Sequence, residues 1–317
     1  MNKRILFMGT PAFAVASLNA LIAAKLDVAA VVTAPDRPAG RGQQLRMSAV
    51  KLRALELGLP ILQPERLKDP EFHAQLDKLD ASLYVVVAFR MLPATVWGKP
   101  RRGTVNLHAS LLPNYRGAAP INWAVMNGEL RTGLTTFFIN DTIDTGDILL
   151  REVVEIGPAE NAGALHDRMM IIGGELLVHT VKNILDDSIE PIPQAEFVGD
   201  NAHDAPKLTP ENCRIDWTQP AQRVHDHIRG LSPIPGAWTL WKEEGRADRQ
   251  FKILAATPVP GLKHGTAGSV TIKADRLLVH CGTGAIEALE VQMQGKRPMD
   301  SASFLRGLQR RSSITLG

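Results

Sequence analysis

Cysteine is nearly absent from this 317-residue chain, which has only Cys213 and Cys281. Such a distant pair offers neither a disulfide framework nor a zinc-ligand spacing. Long apolar runs are missing as well: no window approaches 18 uninterrupted apolar residues, so no spanning helix is expected. The opening stretch holds a short apolar run, Ile5–Met8, before Gly9 and Pro11, which is too brief for the apolar region of a secretory leader. A cytoplasmic address, with no membrane partner, is the expectation. Gly9-Thr10-Pro11 stands where a dinucleotide-binding G-x-G-x-x-G would lie, but that motif is absent and Pro11 fills a position it cannot spare. Nicotinamide chemistry is therefore disfavoured. Internal repeats and low-complexity tracts are also lacking.

What is present suits a folded protein. Hydrophobic residues make up 44% and charged residues 22%, which excludes disorder as the main state. At about 150 residues per domain the length suggests two domains. The net charge is +3, and residues 1–190 balance while the surplus lies in residues 191–317. One island stands out in the balanced part, where Arg37, Arg41, Arg46, Lys51 and Arg53 face only Asp36. Such an island is either a solvated face or a site for a polyanion.

The first half alternates. Ile5–Met8, Val28–Val32, Leu83–Val87 and Thr104–Leu107 read as buried strands, with helical stretches at Ala12–Ala24, Ser48–Leu57 and Asp69–Leu79 between them. Continuous Val/Ile/Leu runs alternating with helices predict a Rossmann-like, doubly wound, mostly parallel sheet. Strands at Leu134–Ile139 and Ile148–Ile156 and a long helix at Ala162–Leu185 follow. From Asp186 to Pro210 the chain loses its period and reads as a linker. Short β-type segments beyond it (Trp238–Trp241, Phe251–Ala255, Gly268–Ile272, Leu277–His280, Ala285–Val291) predict a small antiparallel barrel. The expected organisation is residues 1–188 as a catalytic domain, 189–206 as a linker and 207–317 as a barrel domain.

The chemistry concentrates in two stretches. In Gly103–Pro120 a buried strand delivers Asn106 and His108, two positions apart and so on one face at the strand's carboxyl end. That edge is where open parallel sheets bind ligands. An Asn amide and a His side by side suit stabilisation of an oxyanion and transfer of a proton. Ser110-Leu111-Leu112-Pro113 then places apolar side chains beside the polar pair. In the second stretch, Asn140–Asp147, three carboxylates fall within seven residues without the spacing of a calcium loop. Asp144-Thr145-Gly146 is also not repeated, as a single-chain aspartic protease would need. One of these aspartates beside His108 would favour its imidazolium and hold its orientation. His225 and His227 fall two apart on a predicted helix, so they point to different faces and make no metal pair. No metal is expected.

Asn106-Leu107-His108-Ala109-Ser110-Leu111-Leu112-Pro113 followed by Asp144-Thr145-Gly146-Asp147 resembles the folate-dependent formyltransferase family, and within it the branch acting on methionyl-tRNA. The opening ILFMGTPAFA, the loop Thr33–Leu45 and Arg214–Trp217 match that branch, so the resemblance spans the chain. It implies the formyltransferase fold followed by an OB-like barrel. It also implies formyl transfer from 10-formyltetrahydrofolate to the α-amine of initiator methionyl-tRNA, with Asn106, His108 and Asp144 as the catalytic trio. Ser110, Leu111, Leu112 and Pro113 match the folate-contacting segment, and Arg90, Met91 and Leu92 match a pterin-recognising stretch. Arg37, Arg41 and Arg46 match the loop that reaches the tRNA acceptor end, and the basic barrel matches a second tRNA-binding domain. A monomer is the simplest assembly. Three departures stand out: Gln43 and Gln44 replace lysines, Asn114-Tyr115 replaces a more basic pair, and the Ala88–Pro93 loop is one residue shorter. The alternatives are a formyltransferase for an amino sugar nucleotide, which has no use for the basic loop, and a non-catalytic RNA-binding protein, which has no use for the trio.

Overall fold

The computed structural model of the chain describes residues 2–39, 44–197, 202–260, 265–308 and 314–317. The chain runs β1 (Ile5–Gly9), α1 (Ala12–Ala23), β2 (Val28–Val32), β3 (Arg37–Ala39), β4 (Gln44–Arg46), α2 (Ala49–Glu56), β5 (Ile61–Leu62) and α3 (Pro70–Leu79). It continues through β6 (Leu83–Val87), α4 (Ala94–Trp97), β7 (Thr104–His108), β8 (Arg116–Gly117), α5 (Pro120–Met126), β9 (Arg131–Phe138), β10 (Ile148–Glu155) and α6 (Ala162–Leu185). It divides into two units: Met1–Gly117, Thr132–Val154 and His166–Asp204 form the first, and Ala118–Arg131, Glu155–Leu165 and Ala205–Gly317 the second.

The first unit is built on a seven-stranded sheet in the order β10-β9-β7-β6-β1-β2-β5. Strands β1, β2, β5, β6 and β7 are parallel, and β9 joins β7 antiparallel. Every residue of β1, β2 and β6 is buried, which is what a sheet covered on both faces requires. One face, Leu6, Met8, Ala30, Val32, Tyr84 and Val86, packs on Phe72 and Leu76 of α3 and Val96 of α4. Toward the other face, Thr136 of β9 shares a hydroxyl–hydroxyl bond of 2.8 Å with Thr180 of α6. Helix starts are locally encoded: Ser48 accepts from the Lys51 amide to cap α2, and Asp69 accepts from the Glu71 amide before Pro70 opens α3. The chain winds outward from β1 through β2 to β5, then returns to β6 and β7. The winding direction therefore reverses between β1 and β6, and the cleft at such a switch is where doubly wound sheets hold ligands.

β11 (Asp204–Ala205) falls at the division between the units, and the second unit contains α5, then α7 (Ala221–Leu231) and the strands β12 (Ala237–Glu243), β13 (Arg249–Val259), β14 (Val270–Lys273), β15 (Arg276–His280) and β16 (Ala285–Met293). β17 (Met299–Asp300), α8 (Ser301–Arg306) and β18 (Ile314–Leu316) complete it. The antiparallel order β14-β15-β16-β13-β12-β18 is nearly closed by a bridge from Ser269 to Thr315. Gly268 makes that closure possible: at φ +80° it lies where a Cβ would fall 2.1 Å from the Leu316 carbonyl oxygen. Trp241, Phe251 and Phe304 pack inside, with ring centroids 4.9–5.3 Å apart. A Rossmann-like sheet and an OB-like barrel are thus the fold. The stretch read as a basic loop contains the hairpin β3–β4, and the turn after Gly117 opens α5 with Pro120 in its first turn.

Candidate active site

Strand β7 carries the polar pair. Asn106 lies in register with Val86 of β6, and Val86 with Met8 of β1, on the face that α3 and α4 cover. His108 follows two residues later, about 6.5 Å along the strand and just past the end of β6. The Asn106 side chain is half-buried and has no hydrogen-bond partner among the described residues. A carboxamide offering two free N–H groups at a sheet's carboxyl edge can serve an incoming carbonyl oxygen. Its neighbour is hydrogen-bonded through one nitrogen. His108 is buried, and its Nε2 lies 2.9 Å from the Tyr115 carbonyl oxygen. A carbonyl can only accept, so Nε2 carries the hydrogen. In the neutral ring Nδ1 is then the bare nitrogen that can take a proton.

The segment after β7 is held by buried hydrogen bonds. Thr135 of β9, fully buried, donates to the Ser110 carbonyl at 2.7 Å and accepts from the Leu112 amide at 3.1 Å. The Ser110 hydroxyl donates to the Asn114 carbonyl at 2.5 Å, closing the turn. Leu112 fills a small core with Phe137 and Ile148. These contacts bring Tyr115, in the left-handed region at φ 58°, to the position where its carbonyl meets His108.

Asp144 reaches the same place from the β9–β10 loop. Its Oδ2 lies 3.7 Å from His108 Nδ1, an ion-pair distance longer than a hydrogen bond. The same oxygen accepts from the Gly117 amide at 3.0 Å. Asp144 is itself left-handed at φ 54°, a conformation that surrounding contacts must sustain. Gln194 supplies them. Its Nε2 donates to the Asp144 carbonyl at 2.9 Å and to the Gly146 carbonyl at 2.8 Å. Its Oε1 accepts from Arg116 Nε at 3.2 Å and Nη2 at 2.6 Å, and Arg116 Nε also reaches the Asp144 carbonyl at 3.0 Å. Sequence reasoning missed both Gln194 and Arg116, because the former sat in the presumed linker and the latter in a turn. The only signal was the pair Pro191 and Pro193 around Ile192, which stiffens a segment that bridges to Ile148.

The remaining expected residues are spread more widely. Arg90 stacks on Phe89 at 5.7 Å and donates to the carbonyls of Glu65 and Pro64, leaving a buried Nε with no partner. Burial, then the nearby Arg37 charge, pulls its pKa below the usual guanidinium range. Leu92 is part of the sheet core, whereas Met91 is 74% exposed. Ser110, Leu112 and Pro113 are buried and Leu111 is half-buried. Arg37 and Arg46 are exposed and face each other across the β3–β4 hairpin, while Arg41 and Gln43 lie outside the described residues. Among the described residues no group of three His, Cys, Asp or Glu side chains could hold a metal ion. No helix among them is long and apolar enough to cross a membrane.

A mostly parallel, doubly wound sheet followed by a small antiparallel barrel is shared with a known group. The sequence model of formyl transferases matches residues 3–181, and that of the formyl transferase C-terminal domain matches residues 207–309. The chain belongs to the formyl transferase family. Within it, the chain is 47% identical over 309 residues to the methionyl-tRNA formyltransferase of Bacteroides fragilis, covering 96% of this chain and 95% of that one. It is 47% identical over 305 residues to the methionyl-tRNA formyltransferase of Flavobacterium johnsoniae, covering 96% of each. Among solved structures, an N-formyltransferase from Helicobacter canadensis, in complex with folinic acid and dTDP-3-aminofucose, shares the fold. Its TM-score is 0.64 at 18% identity, over 92% of this chain and all of that one. HypX from Aquifex aeolicus aligns at TM-score 0.63 and 19% identity, over 98% of this chain and 49% of that one.

Proposed function

We infer that this chain transfers a formyl group from 10-formyltetrahydrofolate to the α-amine of methionine esterified to initiator tRNA. The observation that carries the reading is an unpartnered Asn106 amide beside a His108–Asp144 pair, in a chain similar from end to end to methionyl-tRNA formyltransferases. Folate is the donor that the family uses, and the free Asn106 amide is the group in this structure that fits its formyl oxygen.

The chemistry follows from the side chains. An α-amine titrates near about 8, so its neutral form is available near neutral pH and needs positioning more than a strong base. As its nitrogen bonds to the formyl carbon, the carbonyl oxygen gains charge, and Asn106 donates a hydrogen bond to it. One such donor is typically worth about 10²–10³ in rate. His108 Nδ1 takes the proton that the amine nitrogen must lose. The resulting imidazolium is held between the Tyr115 carbonyl and the Asp144 carboxylate. His108 then returns the proton to N10 as the bond from N10 to the formyl carbon breaks, so no net proton is consumed. Relay of this kind typically contributes about 10²–10⁴.

Ser110, Leu111, Leu112 and Pro113, with the Arg90–Leu92 loop, shape the folate cleft. Exposed Met91 and the loop backbone face the ring, while Arg90 ties the loop to Pro64 and Glu65. Arg37, Arg41 and Arg46 pair with tRNA phosphates, and residues 207–317 add a second tRNA-binding surface. The protein acts in the cytoplasm as a monomer. The test is formylation by purified protein given 10-formyltetrahydrofolate with methionyl-charged initiator tRNA or with an amino sugar nucleotide, alongside His108→Ala. Formylation of the tRNA alone, lost by orders of magnitude in the variant, is expected. Formylation of the sugar alone would move the acceptor assignment, and near-parent turnover by His108→Ala would remove the relay.

A further inference from the structure

We propose that Gln194 is a positioning residue for formyl transfer, acting through Asp144, so that the segment after the Rossmann-like sheet is part of the active site. The argument rests on the assigned role of Asp144. Gln194 is buried, and its carboxamide has every hydrogen-bonding position filled: both N–H groups go to the Asp144 and Gly146 carbonyls, and the oxygen takes two N–H groups of Arg116. One planar group therefore joins the loop that carries the carboxylate to the segment Arg116-Gly117. The Gly117 amide in turn donates to Asp144 Oδ2, the oxygen nearest His108. A closed ring results, running from Gln194 to Arg116, through Gly117 to the carboxylate, and back through the Asp144 carbonyl. It fixes a left-handed aspartate that local propensity would not hold.

Direction matters in this ring. The Asp144 and Gly146 carbonyls need donors, and the Arg116 fork needs an acceptor. Only a carboxamide offers both in one plane at that size. Leucine or methionine would fill the volume and supply neither. Glutamate would keep the acceptor for Arg116 but turn an oxygen toward the two carbonyls, which repels the loop it should hold. Among the described residues no hydrogen bond runs from Gln194 to His108 or Asn106, so its influence on the reaction passes through the aim of Asp144.

The experiment compares the full-length parent with Gln194→Met and Gln194→Glu, each alone and combined with Asp144→Ala. Formyl-methionyl-tRNA formation is measured as kcat and as KM for both substrates, together with thermal melting. Gln194→Met is expected to lower kcat by about a hundredfold, the usual consequence of a misplacement near 1 Å, with KM for methionyl-tRNA within about twofold. Gln194→Glu should fail to restore it. In the Asp144→Ala background either change should cost less than about threefold more, because the residue it acts through is gone. Parent-like kcat in Gln194→Met, full rescue by glutamate, or losses that multiply in the double variant would each overturn the proposal. If Gln194→Met melts too early to assay, Gln194→Glu carries the same comparison alone. Should Asp144→Ala itself keep parent turnover, the role of Asp144 falls, and the proposal falls with it.

Discussion

Gly146→Ala tests how tightly the Asp144 loop must be placed. A Cβ at this position would lie 1.6 Å from the Phe138 carbonyl oxygen and 2.8 Å from its carbon, where real contacts do not fall below 3.0 Å. Phe138 is anchored away from this loop, paired with Val105 of β7, and the next amide, Ile139, donates to the Thr104 carbonyl at 2.8 Å. The loop must therefore move outward by more than about 1 Å, and a misplacement of that size near reacting groups costs about 10²-fold. Asp144 starts 3.7 Å from His108 Nδ1, so an outward shift weakens its hold on the imidazolium directly. The structural penalty is smaller. Losing the 2.8 Å bond from Gln194 to the Gly146 carbonyl costs about 1 kcal/mol, so the variant should stay folded. Steady-state formylation with saturating 10-formyltetrahydrofolate and varied methionyl-tRNA reads the outcome, with kcat falling about a hundredfold and KM for tRNA nearly unchanged. Parent-like kcat, or a defect confined to KM, would refute the claim that this loop sets the chemical step.

Thr135→Val should destabilise the first unit, because a nearly isosteric side chain would strand the buried Ser110 carbonyl and Leu112 amide. Each unsatisfied group costs about 1–3 kcal/mol, and an unchanged melting temperature would show that the turn does not depend on Thr135. His227 makes a pH prediction for the barrel unit. Burial, partly offset by a Cys213 backbone hydrogen bond and reinforced by Arg223, holds its pKa below the ordinary value of 6.5, and its Nε2 has no partner. Its unfolded form therefore takes up a proton that the folded form refuses. Stability is complete above about pH 6.5 and declines as pH falls toward the folded pKa, by at most about 1.4 kcal/mol per pH unit. His227→Leu should flatten the fall in melting temperature between pH 7 and pH 5, and parallel curves would exclude His227 as its source.

The parts of this architecture legible in the sequence were those written as periodicity. Fully buried strands such as Val28–Val32 announce a sheet covered on both faces, and the two-residue period of β7 by itself puts Asn106 and His108 on one side. Barrel strands were marked by their Gly and Pro punctuation. Elements too short to show a period escaped: the three-residue strands of the β3–β4 hairpin, the seven-residue helix α5 behind Pro120, and β18 at the C-terminal end. Gln194 escaped for a different reason. Its partners are carbonyl oxygens of Asp144 and Gly146, and every residue has a carbonyl, so nothing in composition or spacing marks the two that matter.

That distinction also bears on the departure expected at positions 114 and 115. The family resemblance predicts a more basic pair at Asn114-Tyr115, and an uncharged pair this close to His108 would ordinarily signal altered chemistry. The structure shows what position 115 supplies to His108: a backbone carbonyl, 2.9 Å from Nε2. The Tyr115 ring turns away to pack against His203, with centroids 5.6 Å apart. The Asn114 side chain likewise faces outward, accepting from the His203 amide at 2.7 Å. Side chains at 114 and 115 can therefore vary without disturbing the tautomer of His108, provided the left-handed turn at 115 and its anchors at Thr135 and Ser110 persist. Three side chains carry the proposed chemistry, but backbone groups of Tyr115, Gly117, Asp144 and Gly146 set its geometry.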